Sequence, residues 1–306
     1  MTARILRFFV IGLGAASAAW LLAWWNRSPA VAALGAVGIL FAYSAVLLLE
    51  FAALAITHGS DPTPRATVAQ LLRAWWAESV IGLCVFGWQQ PFRHARLPDT
   101  LTPRARQGIV FVHGFFCNRG FWNPWLQRAR DEQRPAIAVD LEPTFGSIDN
   151  YADTIERAVE RLTAATGRAP LLVCHSMGGL AARAWLRRYR GHARVSRIVT
   201  IGTPHGGTWL GRFGRAANAR QMRLDSAWVR AMREGEAATG SASFLCWYSN
   251  CDNIVFPPAT AALPGADNRL VAGAAHVELA FRPEVMDATF AAADSDRSQN
   301  VRTLST

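Results

Sequence analysis

Two long apolar segments occupy the start of the chain. Residues 8–25 carry no charge, and as a helix they would extend over roughly 27 Å, close to the ~30 Å of hydrocarbon in a bilayer. A short polar break follows around Arg27, and a second uncharged segment covers residues 29–49 and ends at Glu50. The pattern predicts a transmembrane helical hairpin that forms a membrane anchor over residues 1–57.

Two further interpretations of the first segment stay open. Arg4 and Arg7 precede an apolar core, as in a cleaved signal peptide, but the segment stays apolar through Trp20, where a cleavage region should turn polar. A buried core helix would be expected to carry a polar face, which the segment lacks. Trp20, Trp24 and Trp25 instead fit an aromatic belt at a membrane interface.

The distribution of arginines predicts the orientation of the anchor. A hairpin places both of its ends on one side of the membrane, so Arg4, Arg7, Arg65 and Arg73 share a side opposite Arg27. The positive-inside rule therefore favours a cytoplasmic location for the rest of the chain. If the first segment were cleaved, or the second did not span, the rest of the chain would face outward.

Residues 58–104 are predicted to connect the anchor to the following domain. Residues 58–64 read His-Gly-Ser-Asp-Pro-Thr-Pro, a composition typical of a linker. Residues 80–88 are apolar, follow Trp75 and Trp76, and are too short to span a membrane by themselves. They are predicted to form an amphipathic, interfacial helix or a segment that covers the core, and both interpretations stay open.

From about residue 105 to residue 306, short apolar strands alternate with amphipathic helices. This alternation is typical of an α/β fold in which a mostly parallel central sheet carries helices on both faces. Residues 209–239 form a longer mixed insertion, which is predicted to fold as a small cap. The predicted strands are residues 108–112, 136–139, 171–174, 197–201, 244–248 and 269–271, and the best-defined predicted helices are residues 148–166 and 178–190.

Composition narrows the function classes. Hydrophobic residues make up 51% of the 306 residues, the formal net charge is +10, and all 32 basic residues are arginine. The arginines are scattered singly, so no nucleic-acid partner is predicted, although a positive protein is attracted to anionic lipid headgroups. The five cysteines lack metal-binding spacing and are predicted to be free thiols, with a Cys246–Cys251 disulfide as the alternative. No metal and no cofactor is predicted.

The segment His-Ser-Met-Gly-Gly at residues 175–179 lies between a strand and a helix. A serine nucleophile needs a sharp strand-to-helix turn with small neighbours, and Gly178 supplies one of them two residues after Ser176. Two residues before the serine, Cys174 replaces the usual glycine, so a slightly crowded turn is expected. The sequence predicts that Ser176 is a nucleophile, against the alternative of a serine in an ordinary tight turn.

Such a nucleophile needs two N–H groups that stabilise the negative charge on the attacked carbonyl oxygen. Met177, directly after the serine, is predicted to supply one backbone N–H, and Phe115 in the loop after the first predicted strand is predicted to supply the second. Gly114 lets that loop turn inward. Gly114 and His113 are predicted to border the substrate, although a histidine at position 113 is more typical of a residue that braces the loop.

The general base and its carboxylate partner are expected in the chain order serine, acid, histidine. His276 lies in a loop of small residues after the last predicted strand and is predicted to be the general base. Asp252 follows the strand at residues 244–248 and is predicted to hold the imidazole. The alternative base is His205, since His192 lies at the arginine-rich end of a predicted helix and is expected at the surface. The alternative acids are Asp225 and Asp267.

Four segments together resemble the bacterial triacylglycerol lipase and esterase branch of the α/β-hydrolase superfamily, over residues ~105 to 290. The segments are residues 112–115, 175–179, 201–207 and 252–257, with His276 after them. The resemblance implies an α/β-hydrolase fold, a triad of Ser176, Asp252 and His276, and a pocket lined by the segment that contains His205. Cys174 and the apolar N-terminal segments depart from the family pattern, so the expected location is a bacterial inner membrane rather than the exterior.

The predicted function is hydrolysis of carboxylic esters, as a lipase or carboxylesterase, through an acyl-enzyme on Ser176. The apolar anchor and the aromatic residues Trp75, Phe121, Trp122 and Trp125 favour an acyl ester or lipid substrate taken from the bilayer. Two alternatives stay open: an acyltransferase or thioesterase with the same triad, since the pocket decides the acceptor, and a non-catalytic module that binds a lipid or a partner. The sequence makes no prediction of oligomeric state.

Overall fold

The chain begins with a group of helices that precede the sheet. The computed structural model describes residues 1–101, 106–237 and 244–295. The first helices are α1 (Thr2–Trp24), α2 (Pro29–Leu40), α3 (Ala42–Thr57) and α4 (Val68–Gly82). Helix α4 continues as a π-helix (Leu83–Gln89) and a final turn, α5 (Gln90–Phe92).

Two helices in this part of the chain are long and apolar enough to cross a membrane. They are α1, with a mean hydropathy of 1.9, and the continuous helix Val68–Phe92, with a mean hydropathy of 1.2. Large apolar side chains on α1 and α2 are exposed, among them Phe8, Leu22 and Leu34. An apolar surface of this extent is unfavourable in water and suits contact with lipid acyl chains.

Helices α1 and α2 pack against each other as a helical hairpin. The hydroxyl of Ser17 donates to the carbonyl of Ala36 at 3.0 Å, and the indole N–H of Trp20 donates to the carbonyl of Val31 at 3.2 Å. Each polar side chain thus finds a backbone partner on the facing helix.

The second predicted span, residues 29–49, is not one straight helix. Helix α2 ends at Leu40, and α3 begins at Ala42 with a bend of 55° between them. The bend turns α3 toward α4, where the hydroxyls of Ser44 and Ser79 hydrogen bond at 2.7 Å. The bent pair would form a span only if its two helices cross together.

The apolar segment at residues 80–88 belongs to the longer helix Val68–Phe92. Arg73 and Glu78 make the first half of that helix look polar in the sequence. Both side chains are engaged by the sheet domain, because Arg73 pairs with Glu278 at 2.6 Å and Glu78 accepts the N–H of Val277 at 2.9 Å. Contacts with the sheet domain therefore account for both charges on an otherwise apolar helix.

Within the described residues, the sheet that follows has six parallel strands in the order β2-β1-β3-β4-β5-β6. The parallel order and the strand positions confirm the predicted fold class. The strands are β1 (Ile109–Val112), β2 (Ala136–Ala138), β3 (Leu171–His175), β4 (Arg197–Ile201), β5 (Phe244–Tyr248) and β6 (Asp267–Leu270).

Helices cover both faces of this sheet. Val110 and Leu172 pack on one face against the helices Ala152–Thr166 and Met177–Tyr189. Phe111 and Val173 pack on the opposite face against the helices Asn123–Asp131 and Pro283–Ser295, as the two-residue period of a strand requires. The helices are α6 (Asn123–Asp131), α7 (Ala152–Thr166), α8 (Met177–Tyr189), α9 (Ala217–Gln221), α10 (Ala227–Ala237), α11 (His276–Leu279) and α12 (Pro283–Ser295).

The predicted insertion at residues 209–239 contains a 3₁₀ turn at Trp209–Phe213 and the helices α9 and α10 in its described part. Its role as a cap, and the division of the chain at residues 57 and 104, stay predictions.

A third apolar cluster joins the N-terminal helices to the loops at one edge of the sheet. Phe51 and Leu54 of α3 pack with Ala74 of α4, and these residues share the cluster with Phe256 and Ala275. Ala275 directly precedes His276, and Phe256 lies four residues after Asp252, the two positions at which the sequence predicts the base and the acid. Helices α3 and α4 are therefore part of the wall behind the predicted site.

Candidate active site

The predicted nucleophile occupies a sharp turn between β3 and α8. Ser176 has φ +54° and ψ −128°, a strained conformation for a residue with a side chain. The strand and helix approach closely here, since a Cβ on Gly178 would lie 2.4 Å from the carbonyl oxygen of Val112. The turn is fixed by its neighbours: Ser176 N–H donates to the carbonyl of Ile201 at 2.9 Å, and Thr203 Oγ1 donates to the carbonyl of Ser176 at 2.9 Å.

The predicted base and acid are in direct contact. His276 Nδ1 lies 2.9 Å from both carboxylate oxygens of Asp252, and both side chains are buried. Asp252 is held in turn by the backbone N–H groups of Ile254 and Val255, which donate to its Oδ1 at 2.9 and 2.7 Å. This arrangement places a proton on Nδ1 and leaves Nε2 as the nitrogen that can accept one.

The nucleophile and the base lie on segments that contact each other at the carboxyl edge of the sheet. The ring of His175, next to Ser176, lies 4.7 Å from the ring of His276 between centroids. His175 Nε2 is positioned to donate to the carbonyl of His276 at 3.3 Å. Strands β3, β4, β5 and β6 are consecutive neighbours in the sheet, so the loops that follow them meet at one place.

Gly202 is a residue of this site that sequence reasoning missed. It follows β4 with φ +57°, and a Cβ at this position would lie 3.0 Å from Asp252 Oδ2 and 3.1 Å from His276 Nδ1. A side chain here would therefore press on the carboxylate–imidazole pair. The only signal in the sequence is its place in the Gly-Thr-Pro-His-Gly segment, which indicates pocket lining and gives no sign of this contact.

The electrostatic environment of His276 is set by several acidic groups. Burial by itself lowers the pKa of His276, but the nearby carboxylate of Asp252 and its hydrogen bond raise it, and the negative charges of Glu78 and Glu50 act in the same direction. The net result is a pKa of His276 above its ordinary value. The imidazole is thus a stronger base than a histidine in water.

His175, whose ring contacts that of His276, has the opposite character. Burial lowers the pKa of His175 well below the ordinary value, and the neighbouring His276 acts in the same direction. The ring packs on Phe121, with ring centroids 4.4 Å apart, which removes the water that would stabilise a charged imidazole. The site therefore holds one histidine suited to proton transfer and one neutral histidine that packs behind it.

The predicted oxyanion donors lie on either side of Ser176. Met177 is the first residue of α8, where backbone N–H groups lack partners within the helix. Phe115 follows Gly114, and a Cβ on Gly114 would lie 2.8 Å from Ser176 Cβ, so the loop that carries Phe115 touches the nucleophile. The roles of Met177 and Phe115 as oxyanion donors stay predictions.

His113 and His205, the two predicted pocket histidines, are buried in hydrogen-bond networks. His113 Nδ1 is 2.9 Å from the carbonyl of Gly114, and its Nε2 accepts the N–H of Leu141 at 3.0 Å, so the ring braces two loops. His205 Nε2 is 3.1 Å from Thr200 Oγ1, and burial lowers the pKa of His205 well below its ordinary value. Direct contact of either ring with a substrate stays a prediction.

Asp225 and Asp267, the alternative acids, lie outside this cluster, and so does His192. Asp225 pairs with Arg233 at 2.9 Å, and Asp267 pairs with Arg269 at 2.7 Å, both as largely exposed side chains. His192 lies in a short 3₁₀ turn after α8. The loops that carry Ser176, Asp252 and His276 meet at the sheet edge without these three residues.

Glu78 of α4 is a second residue that sequence reasoning missed. Its carboxylate is buried and accepts the backbone N–H of Val277 at 2.9 Å and that of Glu278 at 3.1 Å. These are the two residues directly after His276. Glu78 therefore holds the turn that carries the imidazole, across a separation of 199 positions in the chain.

Glu50 of α3 reaches the same loops through an amide. Glu50 Oε2 accepts from Asn253 Nδ2 at 2.7 Å, and Asn253 Oδ1 accepts the backbone N–H of His276 at 3.3 Å. Asn253 is the neighbour of Asp252 in the chain. The N-terminal helices thus contact the segments of both the acid and the base.

The cysteines and potential metal ligands add no further centre. All five cysteines lie within the described residues and none forms a disulfide, so the Cys246–Cys251 alternative is not realised. In residues 1–101, 106–237 and 244–295, no group of three or more His, Cys, Asp or Glu side chains is arranged to hold a metal ion.

The sheet domain is similar to known proteins in sequence and in fold. Residues 109–302 match a family model described as "Alpha/beta hydrolase family". Among solved structures, the mature form of a lipase from Bacillus licheniformis is 18% identical, with a TM-score of 0.54, over 63% of this chain and 96% of that chain. Lipase B from Aspergillus fumigatus is 15% identical, with a TM-score of 0.55, over 61% of this chain and 52% of that chain. At these identities the likeness concerns the fold. No curated protein matches the chain.

Proposed function

Because the chain belongs to the alpha/beta hydrolase family, we propose that it is a membrane-anchored serine hydrolase that cleaves carboxylic esters as a lipase or carboxylesterase. The observation that carries the proposal is the buried Asp252–His276 pair, 2.9 Å apart, at the sheet edge where Ser176 occupies its strained turn. The similarity in fold to lipases from two organisms supports an ester substrate.

In the proposed reaction, His276 Nε2 accepts the proton of the Ser176 hydroxyl while Oγ attacks the ester carbonyl. The negative charge on the carbonyl oxygen is stabilised by the N–H groups of Met177 and Phe115. His276 returns the proton to the leaving alcohol, and an acyl-enzyme forms on Ser176. Water, activated by the same imidazole, then releases the acid. Asp252 holds the imidazole and stabilises its charged form.

The N-terminal helices indicate that this reaction takes place next to a membrane. We propose that α1, which is long and apolar enough to cross a membrane, holds the chain there. The helix Val68–Phe92 meets the same criteria, but its first half lies against the sheet domain through Arg73 and Glu78. Since α3 and α4 contact the loops of Asp252 and His276, the site lies next to the helices that would enter lipid. A cytoplasmic location of the sheet domain stays a prediction of the positive-inside rule.

The proposal is tested with the full chain purified in detergent micelles. We expect release of p-nitrophenol from p-nitrophenyl esters, with an initial burst in stopped-flow measurements if acylation is faster than deacylation. We also expect labelling of the wild-type protein by a fluorophosphonate probe. The absence of both turnover and labelling, in protein that retains cooperative thermal unfolding, would rule out the hydrolase.

The pH dependence of the reaction gives a separate prediction. His276 must be neutral to accept a proton, so activity is lost as the pH falls through its raised pKa. The acidic limb of kcat/KM should therefore lie above about 6.5, the ordinary pKa of histidine. Burial raises the pKa of Glu78 itself to about 7, so only part of its negative charge is present at this limb. In Glu78→Gln the limb should therefore move modestly to lower pH, because that charge is removed.

Glutamine at position 78 keeps an oxygen that can accept the N–H groups of Val277 and Glu278. A matched control is Glu160→Gln, since Glu160 lies on α7 with an exposed side chain. The limb is measured from kcat/KM for a soluble ester between about pH 5 and pH 9, a range that brackets the ordinary histidine pKa. An acidic limb at the same pH in wild type and Glu78→Gln would contradict the role assigned to the charge.

A further inference from the structure

A cavity of about 520 Å³ lies among the N-terminal helices, within the size range of sites that bind small organic molecules. Val10 and Leu13 of α1 form one wall, Leu47 of α3 forms another, and Phe86 and Gly87 of the π-helix close the third. The cavity is almost entirely apolar. Such a space favours an alkyl chain over water, because water in it would lack hydrogen-bond partners.

The cavity is tied to the candidate active site by two of its lining residues. Phe116 lines the cavity and follows Phe115, in the loop that touches Ser176. Glu78 also lines it, and its carboxylate holds the two backbone N–H groups that follow His276. An alkyl chain in the cavity would therefore have one end close to the loop that carries Phe115 and to the turn that carries His276.

The outer side of the cavity reaches the surface that would face lipid. Phe9, Leu40, Phe41 and Leu83 line it, and all four side chains are exposed. The bend between α2 and α3 is at Phe41, so this bend forms part of the cavity's rim. An acyl chain could pass from a bilayer into the cavity without crossing water.

The π-helix leaves room for a side chain at Gly87, which lines the cavity. A Cβ on Gly87 would meet no atom within 4 Å, so the wall at this position can take a larger side chain at the expense of the cavity. Short π-helical segments within α-helices are frequent at functional sites. Gly87 therefore offers a way to fill the cavity without a clash at the backbone.

We propose that this cavity binds the acyl chain of a long-chain lipid ester while the ester carbonyl lies at Ser176. The inference rests on the proposed ester hydrolysis and adds the substrate class and the position of its chain. It assigns the N-terminal helices a part in substrate selection as well as in anchorage.

The test fills the cavity and follows chain-length preference. In Gly87→Phe, the ratio of kcat/KM for p-nitrophenyl palmitate to that for p-nitrophenyl butyrate should fall by about tenfold or more, and in Gly87→Leu the fall should be smaller. Gly14→Phe is the matched control, because Gly14 is an exposed α1 glycine outside the cavity lining whose Cβ would also meet nothing within 4 Å. Its ratio should equal that of wild type.

A binding experiment separates this inference from the proposed function. Palmitic acid with a photoreactive diazirine in its chain should cross-link Ser176→Ala protein at peptides of α1, α3 and the π-helix, and Gly87→Phe should abolish this cross-linking. An unchanged chain-length ratio in folded Gly87→Phe, or cross-links confined to helices outside the cavity, would overturn the cavity assignment. Cross-linking in the cavity without ester turnover by wild type would support the binding site and overturn the proposed hydrolase.

Discussion

Replacement of Ser176 by alanine is expected to lower kcat/KM for ester hydrolysis by about 10⁶-fold. The hydroxyl is the atom that forms the acyl-enzyme, and no neighbouring group can replace it in that role. Alanine keeps the Cβ and the backbone contacts of the turn, in which Ser176 N–H binds the carbonyl of Ile201 and Thr203 binds the carbonyl of Ser176. The fold should therefore persist while turnover and fluorophosphonate labelling are lost.

The matched control is Ser196→Ala, since Ser196 lies just before β4 at the opposite end of the strands and contacts the carbonyl of Pro170. It should retain wild-type turnover and labelling. Thermal unfolding of all three proteins in the same detergent checks that the comparison is between folded chains. Equal fluorophosphonate labelling of wild type and Ser176→Ala would remove Ser176 from its proposed role.

The sheet is predictable because its central strands are buried on both faces. Such strands appear as continuous apolar runs, and the predicted strands at residues 171–174 and 197–201 agree with β3 and β4 to within one residue. β6 is an exception, since Asp267–Leu270 is mostly exposed and begins with polar residues. Its predicted start at residue 269 is two residues late, because an exposed edge strand lacks the apolar signal.

The helix that includes Glu78 is not predictable in its full length. The charges of Arg73 and Glu78 interrupt the apolar pattern of Val68–Phe92, and only the fold brings their partners near. Arg73 donates to Glu278 at 2.6 Å, and the partners of Glu78 lie 199 and 200 positions away. A local pattern carries no information on such contacts.

The same limit applies to the details of the site. Chain order and small-residue loops are enough to select Ser176, Asp252 and His276 as candidates. The contact of Gly202 with both members of the Asp252–His276 pair depends on how the loops after β4, β5 and β6 pack. The contribution of Glu50 through Asn253 depends on the position of α3, which the sequence indicates only as part of an anchor.

Replacement of Asp252 by asparagine should lower kcat/KM by about 10⁴-fold. The Asp252 carboxylate accepts the Nδ1 proton of His276 at 2.9 Å. An asparagine side chain can instead donate its amide N–H to Nδ1, which would place the imidazole proton on Nε2. His276 could then no longer accept the proton of Ser176. The amide oxygen can still accept the N–H groups of Ile254 and Val255, so the loop should keep its shape.

The control for this prediction is Asp267→Asn, because Asp267 is a largely exposed carboxylate paired with Arg269 and is an alternative acid by its position in the sequence. It should leave kcat/KM within about twofold of wild type, as expected for a surface charge away from the site. The loss in Asp252→Asn should appear mainly in kcat, since the carboxylate acts on proton transfer and does not touch the ester. The tautomer of His276 depends on the carboxylate that contacts its Nδ1. An equally large decrease in kcat/KM in Asp267→Asn and in Asp252→Asn would therefore contradict the assignment of Asp252.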